Sequence, residues 1–247
     1  MPDFNNTATN KRGLIVYGGE ASSDFGIVVA EAPSFDKPKR KSTVYNVPGR
    51  SGSVIFQENA YDDVNRSYKV WLAEDKDTDL VSKVHAFTEW IYSKDGYQRL
   101  EDSFEPDIFR LGYFNGISDI SNEMLQYGET TLSFTCRAER FYKSGEEEME
   151  IHNGSIIYNP TRFEAKPLIY IKGSGAITIN VNGLAMIAAV TDYIYIDCDR
   201  MNAYRQNGEN KNGSISGTFP KLMSGDNLVT ITGNATKVTV IPRYYTI

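Results

Sequence analysis

The sequence predicts a mainly β protein of two domains, the first of which contains the only clear helix. A helical period of apolar residues occurs once, near residues 78–96, whereas short apolar or alternating runs separated by Gly, Asn and Asp recur along most of the chain. The chain has 247 residues, of which 40% are hydrophobic and 23% charged, a composition typical of a soluble globular protein. That length accommodates two ordinary domains.

The helix is predicted at about residues 79–94. Its apolar residues recur every three or four positions and therefore share one face; they are Leu80, Val81, Val84, Phe87, Trp90 and Ile91. We expect Thr78 to cap the N-terminus and Asp79 to favour its positive end, with Gly96 as the stop signal.

Strand patterns surround this helix in the first domain. The runs are 14–19, 25–32, 53–63, 65–73, 97–102, 109–117 and 129–142. Runs 53–63 and 65–73 are predicted to pair as a hairpin at about 53–73, with the Asp62-Asp63 pair near its tip. A second hairpin is predicted to turn around residues 103–107. In the last run Leu132, Phe134 and Cys136 alternate onto one face, which is typical of a half-buried strand.

The domain boundary is predicted at "KSGEEEMEIHNGS", residues 143–155, because an acidic run flanked by Gly and Asn suits a surface connection. The predicted domains are residues 1–145 and 146–247. No helical period follows the boundary, and short strand patterns recur between turn residues. The turns include "VNG" at 181–183 and "QNG" at 206–208, both good hairpin signals. This spacing predicts a β-sandwich of about 95 residues.

Few side chains offer catalytic chemistry. The two histidines, His85 and His152, lie in the predicted helix and in the connection, and neither stands beside a Ser or Cys in a hydrolase motif. The sequence contains no zinc, P-loop or dinucleotide-binding motif. Carboxylates at 62–63 and 197–199 could ligate calcium, but they lack EF-hand spacing and are interpreted as ordinary turn and strand-end residues. We therefore predict no catalytic residue, no cofactor and no metal.

Charge and cysteine content restrict the compartment and the partners. The net charge is −6; residues 1–145 carry 17 Lys and Arg against 22 Asp and Glu, and residues 146–247 carry 9 against 10, so neither half resembles a basic nucleic-acid binder. Cys136 and Cys198 are predicted to be reduced thiols of a chain folded in a cytoplasm, with a disulfide as the alternative. No apolar run reaches the ~20 residues of a membrane span. The polar N-terminus lacks the apolar segment of a signal peptide.

A carbohydrate-binding module is an alternative for the second domain, because β-sandwiches can carry aromatic platforms. The candidate residues are Tyr170, Tyr193, Tyr195 and Tyr204. Tyr193 and Tyr195 alternate with two isoleucines, so one of the two sets must face the core. Tyrosines in strands are more often packing residues, which makes this reading second to a structural one.

A series of motifs runs through nearly the whole chain in a defined order. It begins with "LIVYGGEASSDFGIVV" and "VPGRSG", continues with "KVWLA", "YQRLEDSFEPD" and "LSFTCRAERFY", and ends with "PLIYIKGSGAITINVNG", "DYIYIDCD", "FPKLMSGDNLVTITG" and "VIPRY". The series resembles the distal tail (Dit) proteins of siphophages, especially those with Gram-positive hosts. It equally resembles the matching component of phage-tail-like bacteriocins.

The resemblance implies an N-terminal β-sandwich with one α-helix and a projecting β-hairpin, called the belt, followed by a C-terminal galectin-like β-sandwich. It implies a structural protein and not an enzyme. A homo-hexameric ring would sit at the virion tail tip, or baseplate, after synthesis in the cytoplasm of the host bacterium. The implied partners are the major tail (tube) protein, the tail-associated lysin or fibre protein and receptor-binding proteins, with no membrane partner.

The segment "VPGRSG" is predicted to direct the 53–73 hairpin, which would pack on the N-terminal sandwich of the next protomer and so make the ring contact. Pro48 fixes φ, Gly49 and Gly52 permit positive φ, and Arg50 can bond a carboxylate of a neighbouring subunit. The predicted interface residues are Pro48, Gly49, Arg50, Gly52, Phe56, Tyr61 and Tyr68. The alternative is a corner that acts only within its own chain.

The acidic first half suggests how the ring would treat DNA. Acidic side chains in a lumen repel phosphate, so DNA would pass through the ring without specific binding.

Overall fold

The structure is a computed structural model that describes residues 13–34, 37–72, 80–118 and 129–247. The chain divides into two compact units: an N-terminal unit that ends at Arg140 and also takes in Ile247, and a C-terminal unit, Phe141–Thr246. The division falls inside a strand, Glu129–Tyr142. Strands dominate both units, which confirms the predicted mainly β class.

The N-terminal unit is built on one curled sheet with the strand order β2-β1-β7-β8-β9-β6-β3. The strands up to the division are β1 (Ile15–Tyr17), β2 (Glu20–Ala21), β3 (Ile27–Val29), β4 (Arg40–Asn46), β5 (Ser53–Tyr61), β6 (Val64–Leu72), β7 (Gln98–Asp102), β8 (Ile108–Ser118) and β9 (Glu129–Tyr142). Gly13, just before β1, exchanges two backbone hydrogen bonds with Val29 of β3, at 2.9 and 2.8 Å. The two sides of the sheet therefore meet and enclose a core.

One helix, α1 (Leu80–Tyr92), lies against that core, as the apolar period predicted. Its residues Phe87, Trp90 and Ile91 are buried, and the Trp90 indole stacks on Phe25 with ring centroids 4.6 Å apart. The Trp90 Nε1 donates to the carbonyl of Tyr17 at 3.2 Å. The helix ends before the predicted stop signal at Gly96. The predicted N-cap residues, Thr78 and Asp79, lie outside the described residues.

The hairpin predicted at 53–73 is wrong in its pairing. Strand β5 pairs with β4, which precedes it, in a separate two-stranded sheet. Strand β6 pairs instead with β9 and β3 in the curled sheet. The physical reason is that β6 carries Tyr68 and Val70, which fill the core of the unit, whereas the Pro48-Gly49 turn closes a hairpin directly between β4 and β5. The second predicted hairpin, β7 with β8, is confirmed.

The C-terminal unit contains strands only, apart from short 3₁₀ turns at Lys143–Glu146 and Asn212–Ser214. Its strands are β10 (Met149–Glu150), β11 (Ile156–Asn159), β12 (Leu168–Val181), β13 (Leu184–Val190), β14 (Tyr193–Asp197), β15 (Asn202–Tyr204), β16 (Ile215–Gly217), β17 (Gly225–Ile241) and β18 (Tyr245–Thr246). The two long strands, β12 and β17, pair with each other along most of their length. The first part of β12 then pairs with β14 and its second part with β13.

Each long strand therefore passes from one layer of strands to another, and glycines permit the change of register. The ladder between β12 and β17 shifts between Lys172 and Thr178. A Cβ on Gly173 would lie 2.3 Å from the carbonyl oxygen of Asn234, and one on Gly233 would lie 2.4 Å from that of Ala176. Only glycine allows the two backbones to approach this closely.

The predicted turn at 181–183 closes the β12–β13 hairpin, with positive φ at Asn182 and Gly183. The core of the unit consists mainly of aliphatic side chains, among them Ile171, Ile179 and Ile196. No described helix in either unit is long and apolar enough to cross a membrane.

Candidate functional site

The hairpin formed by β4 and β5 exposes a group of large apolar side chains, and we call residues 40–61 the arm. The segment 47–52, "VPGRSG", is its tip. The Arg50 amide donates to the Val47 carbonyl at 3.2 Å, and Gly49 and Gly52 have φ of 78° and 82°. A Cβ at either glycine would meet no atom within 4 Å, so the backbone conformation alone requires glycine there.

The register of the arm places apolar side chains on both of its faces. Val44 lies opposite Ile55 on one face. Tyr45 lies on the other face with Phe56, and the two rings pack edge-to-face with centroids 5.6 Å apart. Polar cross-strand pairs reinforce the same register: Arg40 donates to Gln57 at 2.6 Å, Thr43 to Glu58 at 3.1 Å and Ser53 to Asn46 at 2.7 Å.

These apolar side chains are largely open to solvent. Every residue of β4 is exposed, and Val44, Tyr45, Ile55 and Phe56 keep 54%, 55%, 60% and 58% of their surface accessible. A two-stranded hairpin without a packed face is only marginally stable in water. Contiguous exposed apolar residues mark a surface that another molecule covers.

The predicted interface residues divide into two groups. Four of them form the tip of the arm, Phe56 lies on its face, and Tyr61 lies at its base, where its hydroxyl accepts a 2.8 Å hydrogen bond from Arg40. Tyr68 does not belong with them, because it is fully buried in its own unit. Val44, Tyr45 and Ile55 were missed because 40–46 was not predicted as a strand. The signal for them is the alternation on both sides of Pro48-Gly49 in "STVYNVPGRSGSVIF".

A buried charge network explains why Tyr68 is held inside. Its hydroxyl donates to Asp102 at 2.8 Å, and Arg66 donates to the same carboxylate at 2.9 Å. Glu105 accepts from Arg66 at 3.2 Å and from Arg140 at 3.0 Å, and it also pairs with Arg110. Burial, and then the Asp102 charge, raise the pKa of Tyr68 well above its usual value. The network fixes β6, the β7–β8 turn and β9 to one another, which is a structural role.

The described residues provide no group of three or more His, Cys, Asp or Glu side chains that could hold a metal ion. At 197–199 the first carboxylate already has partners, because Arg243 donates to Asp197 at 2.8 and 3.1 Å. Burial alone would raise the pKa of Asp197, but the hydrogen bonds from Arg243 and from backbone amides lower it. His85 and His152 are both exposed.

The aromatic candidates of the second domain lie on its outer surface. Ile194 and Ile196 are buried at 2% and 0% exposure, so the core takes the isoleucines. Tyr193 and Tyr195 therefore face outward and are half-buried. No residue of the predicted carbohydrate surface is in the core.

A family model matches part of the chain. Residues 21–136, which include the arm, match the model described as a phage tail protein RIFT-related domain. No curated protein is significantly similar to the chain in sequence.

Solved structures share the fold of the chain. It superimposes on the Dit protein of phage SPP1, described as a paradigm of the hub adsorption apparatus in phages that infect Gram-positive bacteria, with a TM-score of 0.75 and 13% identity, covering 95% of this chain and 99% of that one. A chain of the phage P2 baseplate in its Ca-activated conformation is more distant, with a TM-score of 0.48, 10% identity and coverage of 93% and 97%. Residues 21–136 therefore match the model of a phage tail protein RIFT-related domain, and the chain shares the fold of the phage SPP1 Dit protein, as its series of motifs predicted.

Proposed function

We propose that the protein is a structural component of a phage tail or tail-like particle, a distal tail protein that forms a ring-shaped hub. The observation that carries this proposal is the arm, which presents apolar side chains on two faces and buries neither. The phage tail domain over residues 21–136 and the shared fold with SPP1 Dit support the same role.

The arm is the contact that would close the ring. A head-to-tail contact uses two different surfaces of each copy, and it gives a closed ring when the rotation per subunit divides a full turn. Each copy would extend its arm onto the N-terminal unit of the next, so that Val44, Tyr45, Ile55 and Phe56 become buried. Arg50 at the tip, which is exposed, would bond a carboxylate of the acceptor copy. We infer six copies from the resemblance to distal tail proteins.

The remaining partners follow from the position of a hub in a tail. The ring would join the major tail (tube) protein on one side to the tail-associated lysin or fibre protein on the other, with receptor-binding or baseplate proteins attached. Its place would be the virion tail tip, reached after synthesis in the host cytoplasm. DNA would pass through the lumen without specific binding, because an acidic N-terminal unit does not attract phosphate.

Ring assembly of arm variants tests this function. The mass of the purified protein is measured by light scattering over a concentration series, and the same samples are imaged in negative stain. We expect six-fold rings with an open centre for the unchanged protein. The double variant Ile55→Asp, Phe56→Asp should remain a protomer, because charges on both faces of the arm cannot be buried in a contact without a large desolvation cost.

The matched control carries the same change on the C-terminal unit. Ile156 and Tyr158 of β11 are each 63% exposed, so Ile156→Asp, Tyr158→Asp adds the same two charges away from the arm. This control should form rings, and both variants should keep the unfolding midpoint of the unchanged protein. Rings formed equally well by the arm variant would refute the arm contact, and protomers at every concentration of the unchanged protein would refute the self-assembling ring.

A further inference from the structure

Four tyrosines form a continuous outer surface on one layer of the C-terminal unit, and we call it the tyrosine face: Tyr170 of β12, Tyr193 and Tyr195 of β14, and Tyr204 of β15. Three of them form a row, since Tyr195 lies opposite both Tyr170 and Tyr204 in the strand register. Ring centroids in this row are 5.0 and 5.7 Å apart. Tyr193 lies 6.0 Å from Tyr170 and 6.1 Å from Tyr195.

The phenol hydroxyls of the tyrosine face are not hydrogen-bonded to the described protein. Among the described residues, none of the four phenol hydroxyls makes a hydrogen bond to protein, whereas the hydroxyls of Tyr17, Tyr61, Tyr68 and Tyr97 in the N-terminal unit all do.

Arg205 is held against the face by its other nitrogens. It donates to Thr191 Oγ1 at 2.6 Å and to Glu209 at 3.4 Å, and its guanidinium carbon lies 5.6 Å from the centre of the Tyr193 ring. The guanidinium is therefore held in a fixed position beside the Tyr193 ring.

The chemistry of this face favours one class of ligand. Half-buried, mutually packed phenol rings are rigid and amphipathic, with an apolar body and a hydroxyl at the tip. Such a surface complements a molecule that presents C–H groups and hydroxyls together at short intervals. Nearby charges have both signs, Lys172 and Arg205 against Asp192 and Glu209, so a polyanion gains no net attraction.

We propose that the tyrosine face binds a neutral, linear saccharide, with the Tyr170–Tyr195–Tyr204 row along successive sugar rings and with the phenol hydroxyls bonding the sugar hydroxyls. This binding goes beyond the hub role and does not depend on ring formation. Successive pyranose rings in an extended chain recur at a step comparable with the spacing of the row. The saccharide hydroxyls would supply the hydrogen-bond partners that the phenol hydroxyls lack.

A glycan array of neutral and anionic oligosaccharides, followed by calorimetric titration with each neutral oligosaccharide that binds, tests this proposal on the full chain. We expect at least one neutral linear oligosaccharide to bind. The double variant Tyr195→Phe, Tyr204→Phe keeps both rings and removes two hydroxyls, and it should weaken that binding about thirtyfold. The control Tyr158→Phe removes a hydroxyl from an exposed tyrosine of β11 and should not change the affinity.

Three results would overturn the proposal: an array on which no neutral oligosaccharide binds, binding confined to anionic oligosaccharides, or equal affinity in the double variant and the unchanged protein. The light-scattering mass of the same double variant separates this site from the hub. Rings that form normally with lost saccharide binding would support both assignments, and rings lost together with saccharide binding would contradict the independence of the two sites.

Discussion

Two hairpins of the chain each turn at a glycine with positive φ, but they have opposite relations to the protein around them. The β12–β13 hairpin turns at Asn182-Gly183, and β13 alternates from Ala185 onward, with Met186 and Val190 buried and Ile187 exposed. The arm turns at Pro48-Gly49 and buries neither of its faces. Both satisfy the local rules for a hairpin, but only one also has a core beneath it.

Local sequence specifies a hairpin but does not specify what covers its apolar residues. A turn and two strands of suitable propensity are enough to specify a hairpin, whereas the burial of its apolar residues depends on surfaces elsewhere. The β12–β13 hairpin finds that surface within its own unit. The arm has equally apolar residues, but no surface of its own unit covers them. We therefore assign the covering surface to another copy of the chain.

Amide hydrogen exchange of the diluted protomer should show the largest contrast. Amides of β12 and β13 that face each other, such as those of Ile179 and Met186, open only with the whole unit, at a cost of ~5–15 kcal/mol. Amides of the arm near Val44 and Ile55 should exchange at least about a thousandfold faster, because they open with little loss of burial. Raising the concentration until rings form should protect the arm and the surface of the next copy on which it packs. Arm amides as protected as those of β12 in the protomer would remove the basis of the comparison.

A matched pair of isoleucines tests the same difference through the free energy of unfolding. Ile179 in β12 is 1% exposed, and Ile55 in the arm is 60% exposed. Ile179→Ala should lower the free energy of unfolding by about 2–5 kcal/mol, because it leaves a cavity in the core. Ile55→Ala should change it by less than about 0.5 kcal/mol. Urea denaturation of both variants, with the slope checked against the unchanged protein, measures the difference; a cost of several kcal/mol at Ile55 would mean that the arm packs on its own chain.

The two turn glycines should give a smaller contrast of the same kind. Gly183 has φ of 89° and Gly49 has φ of 78°, both in a region that a β-branched residue enters only with strain of about 1–3 kcal/mol. Gly183→Val should therefore lower the free energy of unfolding by that amount. Gly49→Val should leave the free energy of unfolding almost unchanged, because the arm is not packed on a core. It should instead weaken ring formation, seen as a higher protein concentration for half-assembly. An assembly curve that Gly49→Val does not move would show that the tip makes no contact.

The elements predictable from sequence were those in which local pattern and burial agree. Helix α1 follows from its apolar period, and β9 follows from the alternation of Leu132, Phe134 and Cys136, all fully buried. The pairing of β5 was not predicted, because 40–46 was not recognised as a strand, which left β6 as the predicted partner across the Asp62-Asp63 turn. The choice rests on Tyr68, whose hydroxyl meets Asp102 at a separation of 34 residues along the chain.

Two glycines show the same limit of local sequence. Gly173 and Gly233 are each as compatible with a turn that ends a strand as with a position inside one. Both glycines lie inside continuous strands, where they permit close backbone approach. A glycine has the same local signature in a turn and in a bulge, and only the partner strand distinguishes the two.

Thiol labelling offers the mildest test, because it reads exposure without disturbing the cores. Burial raises the pKa of Cys136 and of Cys198 to about 12, so both thiols stay protonated and unreactive at pH 8. A cysteine introduced on the arm by Ile55→Cys should keep a pKa near ~8.5 and react at once, about tenfold faster at pH 8 than at pH 7.

The same pKa values give the pH dependence of stability. A thiol whose pKa is higher in the folded state stabilises the fold fully below its unfolded pKa of ~8.5, and this contribution is lost as the pH rises from there towards 12. The free energy of unfolding should therefore fall between pH 9 and pH 11 in the unchanged protein, and it should fall less in the double variant Cys136→Ser, Cys198→Ser.

Ring formation at pH 8 should protect only the arm cysteine from labelling, since Cys136 and Cys198 are already covered by their own units. Labelling of Cys136 or Cys198 as fast as that of the arm cysteine would show that the difference between the arm and the cores does not persist in solution.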